Sequence, residues 1–300
     1  MFEEAELRER ILKLRRLRAE KPWLVASATR ERTRRDFFAE DGRAVIVAAD
    51  HPARGIIGIG SDPIAMIDRE DLLIRLARVL ANPRVDGVLA SADILDDLAM
   101  LGLLEGRLAI GAINRGGLQG ASFEVDDTVT GTTPTRAQQR GLDATKLLLR
   151  IDLQDDRMPS VLDRTRQFVD ESHDIGLPIV LEPFLCRRDG GRLVNDLSEE
   201  AMGKAVAISS GIGSASAYTW LKLPVVPGME TVLRSTTLPV FLLGGDSGPD
   251  VDRAFDGWQA ALQHDGVRGL MVGRRLTHPA DGDIERNTER LLHLVHPSTT

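Results

Sequence analysis

One cysteine, one tyrosine and an aromatic content of 4% set this 300-residue chain apart. The lone cysteine, Cys186, excludes an intrachain disulfide and any Cys-rich zinc or iron–sulfur cage, and points to a reducing compartment, with the cytoplasm as the expected location. Positive charge is not in excess either. Thirty-eight Lys and Arg against 45 Asp and Glu give a formal net charge of -7, so a nucleic-acid partner would need a local basic patch that the composition does not advertise. No run approaches the roughly 20 apolar residues of a membrane span. The start, Met1-Phe2-Glu3-Glu4, leads into mixed charge and not into the apolar core of a signal peptide, so membrane and secretion readings lapse. What is present is an ordinary globular composition, 42% hydrophobic and 28% charged, which can bury a large core. Its length suits one α/β barrel of about 250 residues with an extension, or two smaller domains.

Residues 3–20 carry Leu7, Ile11, Leu14 and Leu17 at spacings of three and four, which predicts an amphipathic helix, with Lys21-Pro22 as its stop. From Arg43 the pattern changes to short apolar runs at 44–50, 87–91, 108–113, 145–151, 179–182, 219–223, 240–244 and 269–273. Segments of helical periodicity lie between them, at 71–80, 94–101, 161–173, 199–209, 229–234 and 251–264, and one more at 284–295 follows the last run. The runs do not alternate apolar with polar, as half-exposed strands would, which predicts parallel strands covered on both faces. Eight such units predict a (β/α)8 barrel over residues 43–300 with an N-terminal helical extension over residues 1–42. A doubly wound open sheet is the runner-up, but Gly58-Ile59-Gly60 lacks the third glycine of a dinucleotide turn and lies well beyond its strand. The third connection, residues 114–135, is rich in Gly, Thr and Asp and reads as a long loop before a short helical stretch at 136–143. Loops of that length in compact domains are often functional.

Charged residues inside or ending apolar strands carry the functional signal, because chemistry in such barrels sits at the C-terminal ends of the strands. There are four: Asp50 after Val-Ala-Ala, Lys146 before Leu-Leu-Leu, Glu182 after Ile-Val-Leu, and Lys222 between Leu221 and Leu223. A lysine flanked by leucines in a strand covered on both faces should point into the barrel mouth, where desolvation favours the neutral, nucleophilic amine. That amine can attack a carbonyl to form a Schiff base, and Glu182 on the adjacent strand can shuttle the protons this chemistry needs. A second ammonium at Lys146 either depresses the Lys222 pKa or serves as counter-ion to Asp50 or Glu182, and Asp50 can orient Lys146 or cap the turn at His51-Pro52. Two glycine-rich turns, Leu243-Gly244-Gly245-Asp246-Ser247-Gly248 and Val272-Gly273-Arg274-Arg275, follow the seventh and eighth runs, where barrels often cradle phosphate. Gly244, Gly245, Gly273 and Arg274 are therefore the expected phosphate-binding residues.

At these residues the chain resembles the class I, Schiff-base aldolases of the tagatose-bisphosphate, archaeal-type fructose-bisphosphate and deoxyribose-phosphate aldolase-like superfamily. The Schiff-base lysine of those enzymes ends the sixth barrel strand, matching Trp220-Leu221-Lys222-Leu223-Pro224. Ala49-Asp50, Lys146-Leu147-Leu148, Leu181-Glu182-Pro183 and Gly273-Arg274 match in order and spacing, and the resemblance spans roughly residues 43–280. It implies a metal-independent aldolase that holds a glycerone-phosphate half with its seventh and eighth loops. The chain also resembles actinobacterial barrel proteins loosely labelled deoxyribose-phosphate aldolase and associated with inositol catabolism. It departs from the pattern in two places: His51-Pro52-Ala53-Arg54 replaces a Gly- or Gln-rich turn, and Arg150 stands where an aromatic residue is more usual. Tyr218 precedes its strand and lies too low to serve as proton donor.

The reading that follows is a cytoplasmic class I aldolase needing no cofactor and no metal. It acts on a phosphorylated small molecule, a ketose or keto acid, with homo-oligomerisation left open. Strand alternation brings Arg150 to the same face as Lys146, near the mouth, where a guanidinium would pair with a substrate carboxylate unless Asp152, Asp155 or Asp156 takes it. Phosphorylated 5-dehydro-2-deoxygluconate, split into glycerone phosphate and malonic semialdehyde, fits that charge pattern. The competing readings are a metal-dependent barrel aldolase or hydrolase using Asp50, His51, Glu182 and His173, for which no HxH or HxxxH spacing appears, and a barrel that binds a sugar phosphate without catalysis.

Overall fold

The apolar runs of the sequence become strands β1 (Ala44–Ala49), β2 (Gly87–Ala90), β3 (Leu108–Ala112), β4 (Ala144–Ile151), β5 (Ile179–Asp189), β7 (Thr219–Leu223), β8 (Val240–Leu243) and β9 (Val267–Val272), with a short β6 (Arg192–Asn195) after β5. In this computed structural model residues 3–38, 40–114, 118–126, 130–245 and 251–297 are described. The barrel strands are hydrogen-bonded in the order β4-β3-β2-β1-β9-β8-β7-β5, and β4 pairs with β5 to close the ring. Every one of these pairings is parallel. Closure rules out the open doubly wound sheet.

Helices α3 (Arg69–Leu80), α4 (Ala92–Met100), α5 (Pro134–Gln139), α6 (Met158–Ile175), α7 (Glu199–Ser210), α8 (Met229–Arg234), α9 (Val251–Ala261), α10 (Arg274–Thr277) and α11 (Ile284–Val295) connect and follow the strands. Their starts follow the sequence chemistry. Asp68 accepts from the amides of Glu70 and Asp71 to cap α3, Thr133 caps α5, and Ser198 caps α7, each satisfying amides that the first helical turn leaves without partners. The N-terminal extension forms α1 (Glu4–Glu20) and α2 (Pro22–Glu31). Lys21-Pro22 therefore ends one helix and begins a second, since a proline in the first turn has no hydrogen bond to lose. Leu7, Ile11 and Leu14 of α1 are buried against the body.

Side-chain alternation sorts each strand into an outer face under the helices and an inner face. The inner set, Ala44, Ile46, Ala48, Leu89, Leu108, Ile110, Ala144, Val180, Trp220, Phe241 and Met271, fills the barrel as one cluster. Phe37 and Phe38, just before β1, close its N-terminal end, with the Phe37 and Trp220 rings 4.5 Å apart edge to face. The interior is thus packed shut from below, and among the described residues the polar stretch of the inner face lies toward the C-terminal ends.

The fifth strand departs from its expected end. Instead of stopping at Glu182-Pro183 it runs to Asp189 and returns through β6 as an antiparallel hairpin. Pro183 lies in register with Leu149 on β4. A proline there forfeits one ladder amide without ending the strand, because β4 also runs past the rim and keeps pairing up to Leu185.

Candidate active site

Period-two alternation places the next inward residue above Ala48 at Asp50, above Ala144 at Lys146, above Val180 at Glu182 and above Trp220 at Lys222. The four side chains singled out from sequence therefore meet in one layer at the mouth, all of them buried. Lys146 Nζ lies 3.0 Å from Asp50 Oδ2 and 2.5 Å from Glu182 Oε2. Lys222 Nζ lies 3.2 Å from the other oxygen of the same carboxylate, Glu182 Oε1.

This arrangement separates the two lysines electrostatically. Burial would lower the Lys146 pKa, but the Asp50 and Glu182 carboxylates outweigh it, so this group is raised and stays an ammonium. Lys222 is also desolvated, faces Glu182 as its close carboxylate and feels the Lys146 charge, and its pKa is lowered. Burial would raise Glu182, yet the two ammonium groups hold it down to about 2. Asp50, buried beside Lys146, is likewise held well below the usual carboxylate range. The result is one amine biased toward its nucleophilic form, beside a carboxylate that can accept a proton and a second amine that stays charged.

Above this layer opens a cavity of about 280 Å³, reached by Lys222 and Glu182 and lined by His51, Arg54, Arg150, Gly244, Gly245, Gly273 and Arg274 among others. The sequence-predicted residues of the two glycine turns thus face the same space as Lys222. Gly245 has φ +64, a conformation that side chains with a Cβ rarely adopt. At Gly273 a Cβ would stand 2.6 Å from the Ala48 carbonyl and 2.8 Å from the His51 ring, so only glycine lets this turn approach β1. Asp246, Ser247 and Gly248 lie outside the described residues.

Arg150 reaches the cavity as alternation predicts, but its guanidinium is paired with Glu124 from the long third connection. Of the acids weighed as its partners, Asp152 faces Arg188, and Asp155 binds Arg157 and Arg188. Arg54 and Glu124 were not singled out from sequence. Arg54 sits in a 3-10 turn (Pro52–Arg54) off the end of β1, where no strand periodicity gives its direction. The His51 ring, largely withdrawn from solvent and crowded by cations, has its pKa lowered to about 4 and stays neutral near pH 7.

The other polar candidates fall away from the cavity. His173 is on α6 with its ring 6.1 Å from that of Tyr218, so Asp50, His51 and Glu182 come together but His173 does not join them. No group of three or more His, Cys, Asp or Glu side chains that could hold a metal ion occurs among the described residues. Cys186 is buried on β5, and desolvation pushes its thiol up to about 12, which removes it as a nucleophile.

Fold and site together define a (β/α)8 barrel with two lysines and two carboxylates in one buried layer at its mouth. The sequence profile of the Cgl0159-like family matches residues 42–291, and the chain belongs to that family. The crystal structure of Cgl0159 from Corynebacterium glutamicum is similar over 96% of this chain and 97% of that one, with 48% identity and a TM-score of 0.93. A Schiff-base-forming fructose-1,6-bisphosphate aldolase shares the fold at 19% identity and a TM-score of 0.62, covering 87% of this chain and 97% of its own. An archaeal fructose 1,6-bisphosphate aldolase does so at 19% identity and 0.61, covering 86% and 96%. A search of curated proteins gives no match. No helix among the described residues is long and apolar enough to cross a membrane.

Proposed function

We propose that the protein is a class I aldolase that makes or breaks a carbon–carbon bond of a phosphorylated ketose or keto acid through an imine on Lys222. The observation that carries this reading is the pair of lysines on one carboxylate, with Lys222 lowered and Lys146 raised. The neutral Lys222 amine adds to the substrate carbonyl to give a carbinolamine. Loss of water leaves a protonated imine, an electron sink for the adjacent bond. In cleavage, a base removes the proton from the hydroxyl on the far side of that bond, the bond's electron pair moves into the iminium to form an enamine, and the aldehyde departs. Protonation of the enamine carbon and hydrolysis then release glycerone phosphate and restore the amine.

Glu182 is the group in reach for these proton transfers. One of the two cations that hold its pKa down disappears while Lys222 is a neutral amine or carbinolamine, so its basicity rises while the carbinolamine forms and falls again once the protonated imine restores the charge. Lys146 and Asp50 act as fixed charges that set the Lys222 pKa and orient the layer. Gly244, Gly245, Gly273 and Arg274 hold the phosphate, consistent with their place on the cavity wall. A phosphorylated keto acid such as 5-dehydro-2-deoxygluconate 6-phosphate, yielding glycerone phosphate and malonic semialdehyde, would place its carboxylate toward Arg150. Lys222→Arg tests the reading: arginine stays protonated and cannot form an imine, so turnover is lost while the circular dichroism spectrum is kept, and appreciable turnover in that variant contradicts it.

A further inference from the structure

Arg54 is the cavity cation left without a partner. Its guanidinium makes no ion pair or hydrogen bond among the described residues, and its Nε is sealed from solvent with nothing to donate to. A buried donor left unpaired is costly, and it is usually explained by a ligand or by water. Arg54 lies near enough to Arg150 and Arg274 to feel their charges, and Asp50 and Glu182 influence it from below without contacting it. The carboxylates of the catalytic layer are already committed to Lys146 and Lys222.

The same third connection reaches both rim arginines: the Gln119 amide donates to the Arg54 carbonyl at 3.1 Å, and Glu124 pairs with Arg150. Arg150 Nε is also buried without a hydrogen bond. Beside Arg54, then, is an arginine whose one carboxylate partner is lent by a loop.

We propose that Arg54, together with Arg150, forms a second anion subsite that selects a substrate carrying a carboxylate at the end opposite its phosphate, and that Glu124 occupies Arg150 until that carboxylate replaces it. Arg54 is thereby the specificity-determining residue. The proposal rests on the aldolase reading only in placing the phosphate on the glycine turns. It accounts for the buried Arg54 donor, and it gives the departure at residues 51–54 a role.

Two unreactive ligands of similar size test it. 6-Phosphogluconate carries phosphate and carboxylate at opposite ends, and glucitol 6-phosphate carries phosphate alone. Calorimetric titration of the full chain should show 6-phosphogluconate binding about tenfold more tightly, the scale of one charge-assisted hydrogen bond. Arg54→Gln should bring the two affinities to within about twofold while leaving glucitol 6-phosphate unchanged. Arg54→Lys, which keeps the charge and disturbs the turn least, should retain part of the preference, and Glu124→Gln should enlarge it. Equal affinities in the unaltered protein, binding of neither ligand, a preference that survives Arg54→Gln, or an equal loss of both ligands in Arg54→Gln and Arg54→Lys would each overturn the subsite. Borohydride trapping of glycerone phosphate on the same protein reports on Lys222 alone. Trapping without carboxylate preference removes only the subsite, and preference without trapping removes only the aldolase reading.

Discussion

Lys222 Nζ stands 3.2 Å from Glu182 Oε1, on the oxygen opposite the one that Lys146 holds at 2.5 Å. A single carboxylate thus separates two ammonium groups that would otherwise repel, and the lysine with one carboxylate partner is the one whose charge is easier to lose.

That asymmetry makes Lys146 a control on the Lys222 pKa. In Lys146→Met the like charge is gone, and Asp50 and Glu182 both act on Lys222, so its pKa rises. Because the neutral amine is the reactive form in the proposed mechanism, the rising limb of kcat/KM should move to higher pH, by about one unit. Removing one partner of a buried ionic cluster should also lower unfolding stability by about 3–5 kcal/mol. A pH–rate profile of the variant checks the first effect and denaturant melts the second; a limb that moves to lower pH contradicts the assignment.

Replacing Glu182 by Gln keeps its shape and removes its proton-accepting capacity. Turnover should fall by roughly 10²–10⁴, while calorimetric binding of inorganic phosphate persists. Unchanged turnover would place the proton transfers on another group.

The four residues of the charged layer at the mouth were legible in the sequence for a physical reason. Each interrupts or ends an apolar run whose neighbours are buried, and the period of two then dictates that all four face inward. Arg150 was readable by the same alternation. Its partner was not, because Glu124 comes from a loop, and pairing across loops leaves no periodic trace. Arg54 was hidden likewise in a turn. The hairpin of β5 and β6 escaped because Pro183 reads locally as a strand end, and α2 escaped because Pro22 reads as a stop, although proline suits both the rim of a sheet and the first turn of a helix.

Chelation should leave activity intact, since the iminium itself accepts the electron pair in the proposed reaction. Turnover measured after exhaustive treatment with EDTA tests this. Loss that zinc restores would move the protein to metal-dependent chemistry.

Arg150→Leu removes the guanidinium and frees Glu124. KM for an acidic phosphorylated substrate should rise about tenfold or more, the scale of a lost charge-assisted contact, with a much smaller effect on a neutral sugar bisphosphate. Steady-state kinetics on both substrates decides; equal effects would place Arg150 in the scaffold of the rim.

In the proposed reaction Lys222, and not the neighbouring Lys146, is the imine-forming amine. Incubating the protein with glycerone phosphate and borohydride, then locating the reduced adduct by peptide mass analysis, distinguishes the two directly. One adduct is expected, on the peptide containing Lys222, and none on that containing Lys146; an adduct on Lys146, or no adduct at all, would overturn the assignment of Lys222.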